Sequence, residues 1–277
     1  MKIEVLAFAK INLILRILRR REDGYHEIDS IVQTIDLADL LTVEPARGVQ
    51  VENDLTDIDG EDLAALAARA VLRRKPGAEG VRITVKKWIP AGAGLGGGSS
   101  DAAAVIRAVD RLFPPRLSPE ELLSVATDVG SDVPLFLYGG RLRMRGRGEV
   151  ITRIDAAAEE SFLLLVPPLR SDTGRVYRRW RPGVGGRASD AGLGANDLLS
   201  PALSIYPELV AYHRAVDRLD SLYAGMSGSG ASFYAAFADP DSARGAAGRL
   251  RREFPRALVF VCSPTEEGHR ITRGGSG

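Results

Sequence analysis

Cysteine and histidine are scarce in this chain of 277 residues, which contains one Cys, Cys262, and three His. One thiol cannot close an intramolecular disulfide, and so few Cys and His residues exclude a structural zinc site built from sulfur and nitrogen ligands. The sequence therefore predicts a protein of a reducing compartment that holds no metal through its own side chains.

Net charge is also small, because 37 Lys and Arg residues are balanced by 36 Asp and Glu residues, which leaves +1. A chain this close to neutral has no global field that would recruit nucleic acid or an anionic membrane surface. We therefore expect neither a nucleic-acid partner nor a membrane partner, and any charged ligand must be bound locally.

Long apolar runs are absent as well. No segment approaches the ~18 consecutive apolar residues of a membrane-spanning helix, and the run at 162–169 is short and contains prolines. The first residues, MKIEVLAFAKINL, are interrupted by Lys2, Glu4 and Lys10, so they lack the unbroken apolar centre of a secretory signal. These absences predict a cytoplasmic protein.

The residues that are present predict a mixture of strands and helices. From residue 3 to 17 every odd position is apolar, which is the period of a strand with one face on a core, so Lys10 and Asn12 share the opposite face. The mixture predicts an α/β protein of the α+β type with two domains, residues 1–153 and 154–277. Further strands are predicted at 28–43, 81–90, 162–166 and 256–262, helices at 61–74, 99–113, 119–130, 207–222 and 240–253, and a mobile loop at 182–194.

The segment PAGAGLGGGSSD at 90–101 carries the clearest chemical signal. Five glycines in the seven residues 92–98 remove the side chains that would hold a ligand away from the backbone. The next helix is predicted to begin at Ser99 or Ser100, where unpaired amide groups and the helix dipole favour an anion. The segment therefore predicts a phosphate-binding loop, with a tight turn capped by serine as the alternative.

Two familiar nucleotide sites do not explain this loop. Gly92, Gly94 and Gly97 have the spacing GxGxxG, but residues 110–120 look like a helix end and a proline turn and not like the acidic position of a dinucleotide site. Neither HRD, DFG nor a GxxxxGK[ST] motif occurs, which excludes a protein kinase and a P-loop protein. A phosphate loop of another type remains.

The loop resembles that of the GHMP kinases, PxxxGLGGSSA, here at 90–102. The likeness extends over nearly the whole chain to the branch of that family whose acceptor carries a cytidine diphosphate group. It implies a GHMP-kinase fold of two mixed α/β domains with the active site in the cleft between them. It also implies ATP-dependent phosphorylation of the 2-hydroxyl of a cytidine-diphosphate-linked methylerythritol, in non-mevalonate isoprenoid biosynthesis. The matching segments are AKINLIL (9–15), DGYHEI (23–28), AGLGGGSSDAAA (93–104), VGSDVPLFL (129–137), GRGE (146–149), NDL (196–198) and MSGSGASFYAAF (226–237).

The resemblance implies catalytic roles for Lys10 and Asp132. A hydroxyl that attacks the γ-phosphoryl group must lose its proton, and a carboxylate at the position of Asp132 can accept it. Lys10 is similar to the family's catalytic lysine, whose charge would keep Asp132 ionised and steady the phosphoryl oxygens. From the residues alone, Asp132 also fits a turn or N-cap aspartate, and the alternative for Lys10 is a solvated strand residue.

The same resemblance implies the binding residues. Mg²⁺ is expected to be bound mainly through the phosphates of ATP. The residues expected to bind ATP are those of the glycine loop and the start of the next helix, namely Pro90, Ala91, Gly92, Ala93, Gly94, Leu95, Gly96, Gly97, Gly98, Ser99 and Ser100.

A cytosine base needs aromatic planes and polar groups together. Tyr25 and His26 lie in the segment that binds cytosine in the family, and Tyr177 stands where the family places a second stacking aromatic, with Thr173 four residues before it. Asn12 is the expected partner of the erythritol hydroxyls. The alternatives are a surface histidine and a packing tyrosine.

The second glycine segment, at 225–232, lies against the active site in the family, and a simple hairpin is the alternative. One departure concerns Asp62, which stands where the family usually has asparagine near the adenine pocket.

Two rival functions follow from the residues. Arginines at 141, 143, 145 and 147 and around Tyr177 resemble a face for single-stranded nucleic acid, although such segments are more often solvated faces paired with acids. The other rival function is that of a related kinase that acts on homoserine or mevalonate. In such an enzyme Tyr25 and Tyr177 would have no base to stack against. We expect a monomer or a weak homodimer.

Overall fold

The computed structural model describes residues 1–54, 62–155, 160–182 and 192–274. Strands and helices alternate through both halves, which confirms the predicted mixed α/β class. The first half contains β1 (Ile3–Arg20), β2 (His26–Pro45), β3 (Gly48–Asn53), α1 (Leu63–Leu72), β4 (Gly80–Lys86), α2 (Gly97–Leu112), α3 (Pro119–Val129), α4 (Val133–Tyr138), β5 (Arg141–Gly146) and β6 (Val150–Arg153). The second half contains β7 (Ser161–Val166), α5 (Thr173–Arg179), α6 (Leu199–Ile205), α7 (Leu209–Asp217), β8 (Tyr223–Met226), β9 (Phe233–Phe237), α8 (Pro240–Glu253), β10 (Leu258–Cys262) and β11 (His269–Arg273).

A large sheet organises the first half in the order β11-β1-β2-β4-β3. The long strand β2 pairs with β4 near its end and with β5 near its beginning, and β6 pairs with β5. Only β3 and β4 pair in parallel among the described strands. Because β11 pairs with β1, the end of the chain joins this first sheet. The division into two domains at residue 153 stays a prediction.

A smaller antiparallel sheet, β10-β7-β9-β8, organises the second half. Its central strand β7 is buried along its whole length, which fits the apolar sequence SFLLLV. The predicted helix at 240–253 is α8, whose N-cap Asp239 accepts a hydrogen bond from the Ser242 amide. Alanines and Leu250 of α8 are buried in the core of this half.

The odd positions of β1 from Ile3 to Ile17 are all buried, as their apolar pattern predicts. They enter three successive clusters: Ile3 to Ala7 under the helices of the first half, Ala9 to Leu13 against the second sheet, and Leu15 and Ile17 in the core of the second half. In the middle of the strand the even positions are buried too, so the Lys10 side chain lies in the interior and not in solvent.

Several elements differ from the predicted ones. The helix α2 begins at Gly97 and not at Ser99 or Ser100, because the left-handed Gly96 supplies the N-cap and turns the chain into the helix two residues earlier. The helix α7 is shorter than the predicted 207–222. Short elements without a repeating apolar pattern of their own were not predicted, namely β3, α4, β6, α5, α6 and β11.

Two sequence expectations fall partly outside the described residues, namely the beginning of the helix predicted at 61–74 and most of the loop predicted at 182–194. Within the described ranges, no helix is long and apolar enough to cross a membrane.

Candidate active site

Two neighbouring cavities meet beside the N-terminus of α2, where Ser99 lines both of them. The first has a volume of about 580 Å³ and is lined by the whole of the loop at 90–99 together with Lys10 and Asn12. The second has a volume of about 1000 Å³ and is lined by Tyr25 and His26. Asp132, Thr173 and Tyr177 line both cavities, so these three residues mark where the contents of the two cavities would meet.

The glycine loop ends in a helix whose N-terminus is left open toward the first cavity. No side chain caps α2 at Gly96, and Gly97, Gly98 and Ser99 all line the cavity. Ser100 lies inside the first turn instead, where its hydroxyl donates to the Phe8 carbonyl at 2.7 Å. The amide groups at the start of α2 and its dipole therefore make this end of the cavity suitable for a phosphate group.

Gly94 allows the loop to contact the second glycine segment. Its φ is +76°, and a Cβ there would come within 2.2 Å of the Ser227 carbonyl oxygen. The Gly94 carbonyl accepts hydrogen bonds from the Ser227 hydroxyl and from Lys10 Nζ, both at 2.9 Å. A side chain at this position would therefore separate three groups that the structure brings together.

We predict that Gly94→Ala lowers the melting temperature and weakens ATP binding, because the added Cβ collides with backbone and not with a flexible side chain. Gly77→Ala is the matched control: its φ is +78°, but a Cβ there meets nothing within 4 Å. The control should show only the cost of the left-handed backbone, roughly 1–2 kcal/mol. Calorimetric unfolding and ATP titration of both variants test this, and equal effects of the two would contradict it.

Lys10 is held in the first cavity by two hydrogen bonds. Its Nζ donates to Asn12 Oδ1 at 2.6 Å and to the Gly94 carbonyl at 2.9 Å. Asn12 in turn donates through Nδ2 to the Ser30 hydroxyl at 2.9 Å, and Ser30 donates to the Ile14 carbonyl at 2.6 Å. This chain of donors fixes the orientation of Asn12 and places an ammonium group beside the phosphate loop.

Burial lowers the pKa of Lys10, and the carboxylate of Asp132 opposes part of this effect. Asp132 stands at the position before α4, but its side chain makes no cap hydrogen bond to that helix. The Asp132 carboxylate therefore does not act as the N-cap of α4, which was one of the alternatives for this residue. Its negative charge also contributes, after burial, to raising the pKa of Tyr177, so one carboxylate acts on both Lys10 and Tyr177.

The second glycine segment forms the hairpin loop between β8 and β9, and it also closes the first cavity. Gly228 and Ser229 line that cavity, and the Ser229 hydroxyl is 2.9 Å from the Thr173 hydroxyl. Asn196 holds this loop by donating to the carbonyls of Met226 and Gly228 at 2.7 and 2.8 Å. Sequence reasoning noted the NDL segment but gave Asn196 no role; its position between glycine-rich stretches was the available signal.

Aromatic side chains gather at the second cavity. The His26 ring lies 5.2 Å from the Tyr177 ring and 5.7 Å edge-on from the Trp180 ring. Tyr25 is 53% exposed, and the guanidinium of Arg147 lies 5.0 Å from the centre of its ring. Burial, followed by the charge of Arg20, lowers the pKa of His26, which favours the neutral imidazole. Such a cavity offers planes for a flat ring and a polar group for its edge.

Sequence reasoning missed a buried charge cluster at the far side of the first cavity. Lys87 Nζ lies 2.6 Å from Asp101 Oδ2 and also bonds to Asp39, whose other oxygen accepts the amides of Trp88 and Ile89. Burial lowers the pKa of Lys87, but the two carboxylates outweigh it and raise it above its ordinary value. Burial, with Asp39 nearby, raises the pKa of Asp101 to about 8. Asp101, which shares one lysine with a second buried carboxylate, thus takes up a proton more readily than an exposed aspartate does, and no local sequence motif indicates this.

Asp62, where the sequence departs from the family pattern, is the N-cap residue of α1. Its Oδ1 accepts the Ala64 amide at 2.7 Å and caps α1, while the residue also lines the first cavity.

The arginines of β5 are paired with acids. Arg143 makes two hydrogen bonds to the Asp29 carboxylate at 2.7 and 2.6 Å, and Arg141 bonds to Glu160. These pairs support the interpretation of a charge-balanced strand over that of a nucleic-acid face.

Comparisons with known proteins agree on one family. The family model "GHMP kinases N terminal domain" matches residues 59–140, and "GHMP kinases C terminal" matches residues 186–256. A protein of Pelotomaculum thermopropionicum described as 4-diphosphocytidyl-2-C-methyl-D-erythritol kinase is 36% identical over 94% of this chain and 97% of its own length.

Solved structures extend the likeness to three dimensions. A crystal structure of 4-(cytidine 5'-diphospho)-2C-methyl-D-erythritol kinase is 37% identical, covers 94% of this chain and 99% of its own, and superposes with a TM-score of 0.79. A homoserine kinase from Cytophaga hutchinsonii shares the fold at 16% identity and a TM-score of 0.75, covering 98% of this chain and 97% of its own. The expected GHMP-kinase fold is thereby confirmed, and the chain belongs to the GHMP kinase family, within its group of 4-diphosphocytidyl-2-C-methyl-D-erythritol kinases.

Proposed function

We propose that this enzyme transfers the γ-phosphoryl group of ATP to the 2-hydroxyl of 4-diphosphocytidyl-2-C-methyl-D-erythritol, giving the 2-phosphate and ADP, in the non-mevalonate route to isoprenoids. The observation that carries this proposal is the pair of adjoining cavities: one has a phosphate loop and a buried lysine, the other has an aromatic lining, and Asp132 lies at their junction. The kinase uses ATP as its co-substrate, so the first cavity is assigned to ATP and the second to the cytidine compound.

On the ATP side, the glycine loop would bind the phosphates through backbone amides. The open N-terminus of α2 at Gly97 and Gly98 supplies unpaired donors and a favourable dipole. Lys10 would add a positive charge from beneath the loop, because its Nζ is already held at the Gly94 carbonyl. Preorganised donors of this kind stabilise the charge that moves onto oxygen as the phosphoryl group is transferred.

On the acceptor side, Asp132 would accept the proton of the attacking hydroxyl. Its carboxylate makes no cap hydrogen bond and lines both cavities, so it can contact a hydroxyl that projects from the second cavity toward the first. Asn12 and Thr173, which line the first cavity beside it, would orient the erythritol hydroxyls. As the new O–P bond forms, the bond between the γ-phosphorus and the β–γ bridging oxygen breaks and ADP leaves, while the O–H bond breaks and the proton moves to a carboxylate oxygen of Asp132.

The cytosine base would lie between Tyr25 and Tyr177, with His26 at its polar edge. The His26 and Tyr177 rings are already in contact, and Arg147 supports the outer face of Tyr25. A kinase of homoserine or mevalonate would have no use for these planes. Tyr177 keeps the ring that the family often supplies through phenylalanine, so the change at this position leaves the stacking surface intact.

Mg²⁺ is proposed to be bound mainly through ATP. Among the described residues, no group of three or more His, Cys, Asp or Glu side chains is placed to hold a metal ion. The Asp132 carboxylate and the Ser99 hydroxyl fit an ion that needs few protein ligands, because Mg²⁺ favours oxygen donors and takes most of them from phosphate and water. When bound, the ion neutralises phosphate charge.

The direct test measures ADP release from Mg-ATP with the cytidine compound, homoserine or mevalonate under the same conditions. Turnover with the cytidine compound alone is expected. Turnover with another acceptor would keep the phosphate loop and overturn the base pocket. No turnover with any of them, together with salt-dependent RNA binding, would favour the nucleic-acid rival.

We predict that Tyr25→Ala raises KM for the cytidine compound about 5–150-fold and leaves KM for ATP unchanged, because base stacking contributes roughly 1–3 kcal/mol. The side chain is largely exposed, so its loss should not disturb the fold. Tyr25→Phe is the matched control and should keep a KM near that of the wild type, since the ring remains. An unchanged KM in Tyr25→Ala would place the base elsewhere.

The cellular location, the oligomeric state and the domain boundary of the protein are also proposals. A cytoplasmic location is supported by the single buried Cys262, and we also propose a monomeric or weakly dimeric state. We likewise propose the division near residue 153 as the boundary between the N-terminal and C-terminal domains.

A further inference from the structure

A separate cavity of about 510 Å³ lies at the opposite end of α2 from the phosphate loop. In the part of the chain that the structure describes, it shares no lining residue with the two cavities of the active site. We call it the α2–α4 cavity. It is lined by Arg107, Asp110, Arg111, Arg116, Leu137, Tyr138, Glu267, Gly268, His269 and Ile271.

The acids of the α2–α4 cavity are neutralised by cations that do not line it. Asp110 bonds to the buried Lys75 at 2.5 Å and to the Leu117 amide at 2.9 Å. Glu267 pairs with Arg270 at 2.8 Å. These acids therefore do not neutralise the charges of Arg107 and Arg116, which also line the cavity.

Arg107 and Arg116 are the two lining arginines that matter for ligand binding. Among the described residues no carboxylate lies at ion-pair distance from Arg107 or Arg116, and Arg107 is half-buried. Burial lowers the pKa of His269, and the Arg107 charge adds to this effect while the bond to Phe136 and the charge of Glu267 oppose it. The His269 Nδ1 lies 2.9 Å from the Phe136 carbonyl and therefore donates to it, which fixes the ring in the wall of the cavity.

We propose that the α2–α4 cavity binds a small molecule that carries a phosphate or diphosphate group, with Arg107 and Arg116 on the anion. A planar guanidinium matches the geometry of phosphate oxygens and forms strong charge-assisted hydrogen bonds. Leu137 and Ile271 offer an apolar wall for the rest of the ligand. The volume lies within the roughly 300–1,000 Å³ of small-molecule sites in proteins.

The α2–α4 cavity is joined to the active site by one short helix. Leu137 and Tyr138, at the end of the six-residue α4, line the cavity, while Asp132 directly precedes the same helix. Phe136, whose carbonyl is bonded to His269, lies with its ring against Gly96 of the phosphate loop. A ligand in the cavity would thus contact the opposite end of the element that positions Asp132.

Calorimetric titration of the full chain with inorganic pyrophosphate tests the proposal, with a saturating non-hydrolysable ATP analogue present to occupy the phosphate loop. One bound pyrophosphate per chain is expected. Arg107→Gln and Arg116→Gln should each weaken its binding at least tenfold. Arg249→Gln, which removes an exposed charge from α8, is the matched control and should leave binding unchanged.

Binding that disappears when the ATP analogue is present, or binding that is equal in all three variants, would overturn the proposal. Because Arg116 is exposed, its substitution tests the site even if Arg107→Gln does not fold. A second titration with butyl diphosphate distinguishes the source of the anion. Tighter binding than that of pyrophosphate identifies an organic phosphate, and equal binding identifies free diphosphate.

Discussion

Asp132→Asn is expected to lower kcat about 10²–10⁴-fold while ATP still binds, because an amide cannot accept the proton of the attacking hydroxyl. The exchange keeps the size of the side chain and removes no cap from α4, since Asp132 makes no cap hydrogen bond there. Structural damage is therefore not expected to contribute. Steady-state turnover and calorimetric titration with ATP measure the two effects separately.

Asp128→Asn is the matched control for this prediction. Asp128 lies on the preceding helix α3, is exposed, and lines neither cavity of the active site. The control should turn over like the wild type. Wild-type turnover in Asp132→Asn would remove that residue from the proposed mechanism, and loss of ATP binding would make it a nucleotide-binding residue instead.

Lys10→Met is expected to lower kcat about 10²–10³-fold, the typical loss when one preorganised donor to a transition-state oxygen is removed. Lys10 is only 4% exposed, and methionine is long and apolar enough to fill much of the same space. The variant should also be less stable, because Asn12 Oδ1 and the Gly94 carbonyl lose their buried donor, so kcat is measured well below its melting temperature. The exposed Lys86→Met on β4 is the matched control and should retain full activity.

The pH profile distinguishes a charged Lys10 from a merely packed one. Burial lowers its pKa below the ordinary 10.5, so the side chain loses its proton at a lower pH than an exposed lysine does. Activity that needs the cation should therefore fall as the pH rises through this lowered pKa, in the profile of kcat/KM for ATP. Lys10→Arg should move that decline to higher pH, because arginine stays protonated up to a pH of about 12. A decline at the same pH in both proteins would assign it to another group.

The sequence by itself determined the features that depend on local order. Alternating apolar residues specified β1 and placed Lys10 and Asn12 on one face, where their side chains are hydrogen-bonded at 2.6 Å. Ser118 followed by Pro119 and Glu121 has the pattern of a capping box, which specifies the start of α3, and both hydrogen bonds of the box are present. The density of glycine at 92–98 specified the loop, because few other residues allow such a backbone.

The tertiary structure determined which residues of distant segments come into contact. Lys10 and Gly94 are 84 positions apart, and Gly94 meets Ser227 across 133. Burial of Lys10 therefore depends on a loop and a hairpin that its own strand does not encode. The short α4, which carries the packing of Phe136 against the loop, has too few residues to show a helical period, so only its contacts define it.

Charge was the least predictable property of the site. The sequence shows Asp39, Lys87 and Asp101 as three separate polar residues on β2, after β4 and on α2. The pKa values of Lys87 and Asp101 depend on burial and on mutual distance, and both arise only when the sheet packs against the helix. The same holds for the lowered pKa of Lys10. Local sequence thus determined which groups are available to the phosphate site, and the fold determined their protonation, because removal of water from around a charge is a consequence of packing.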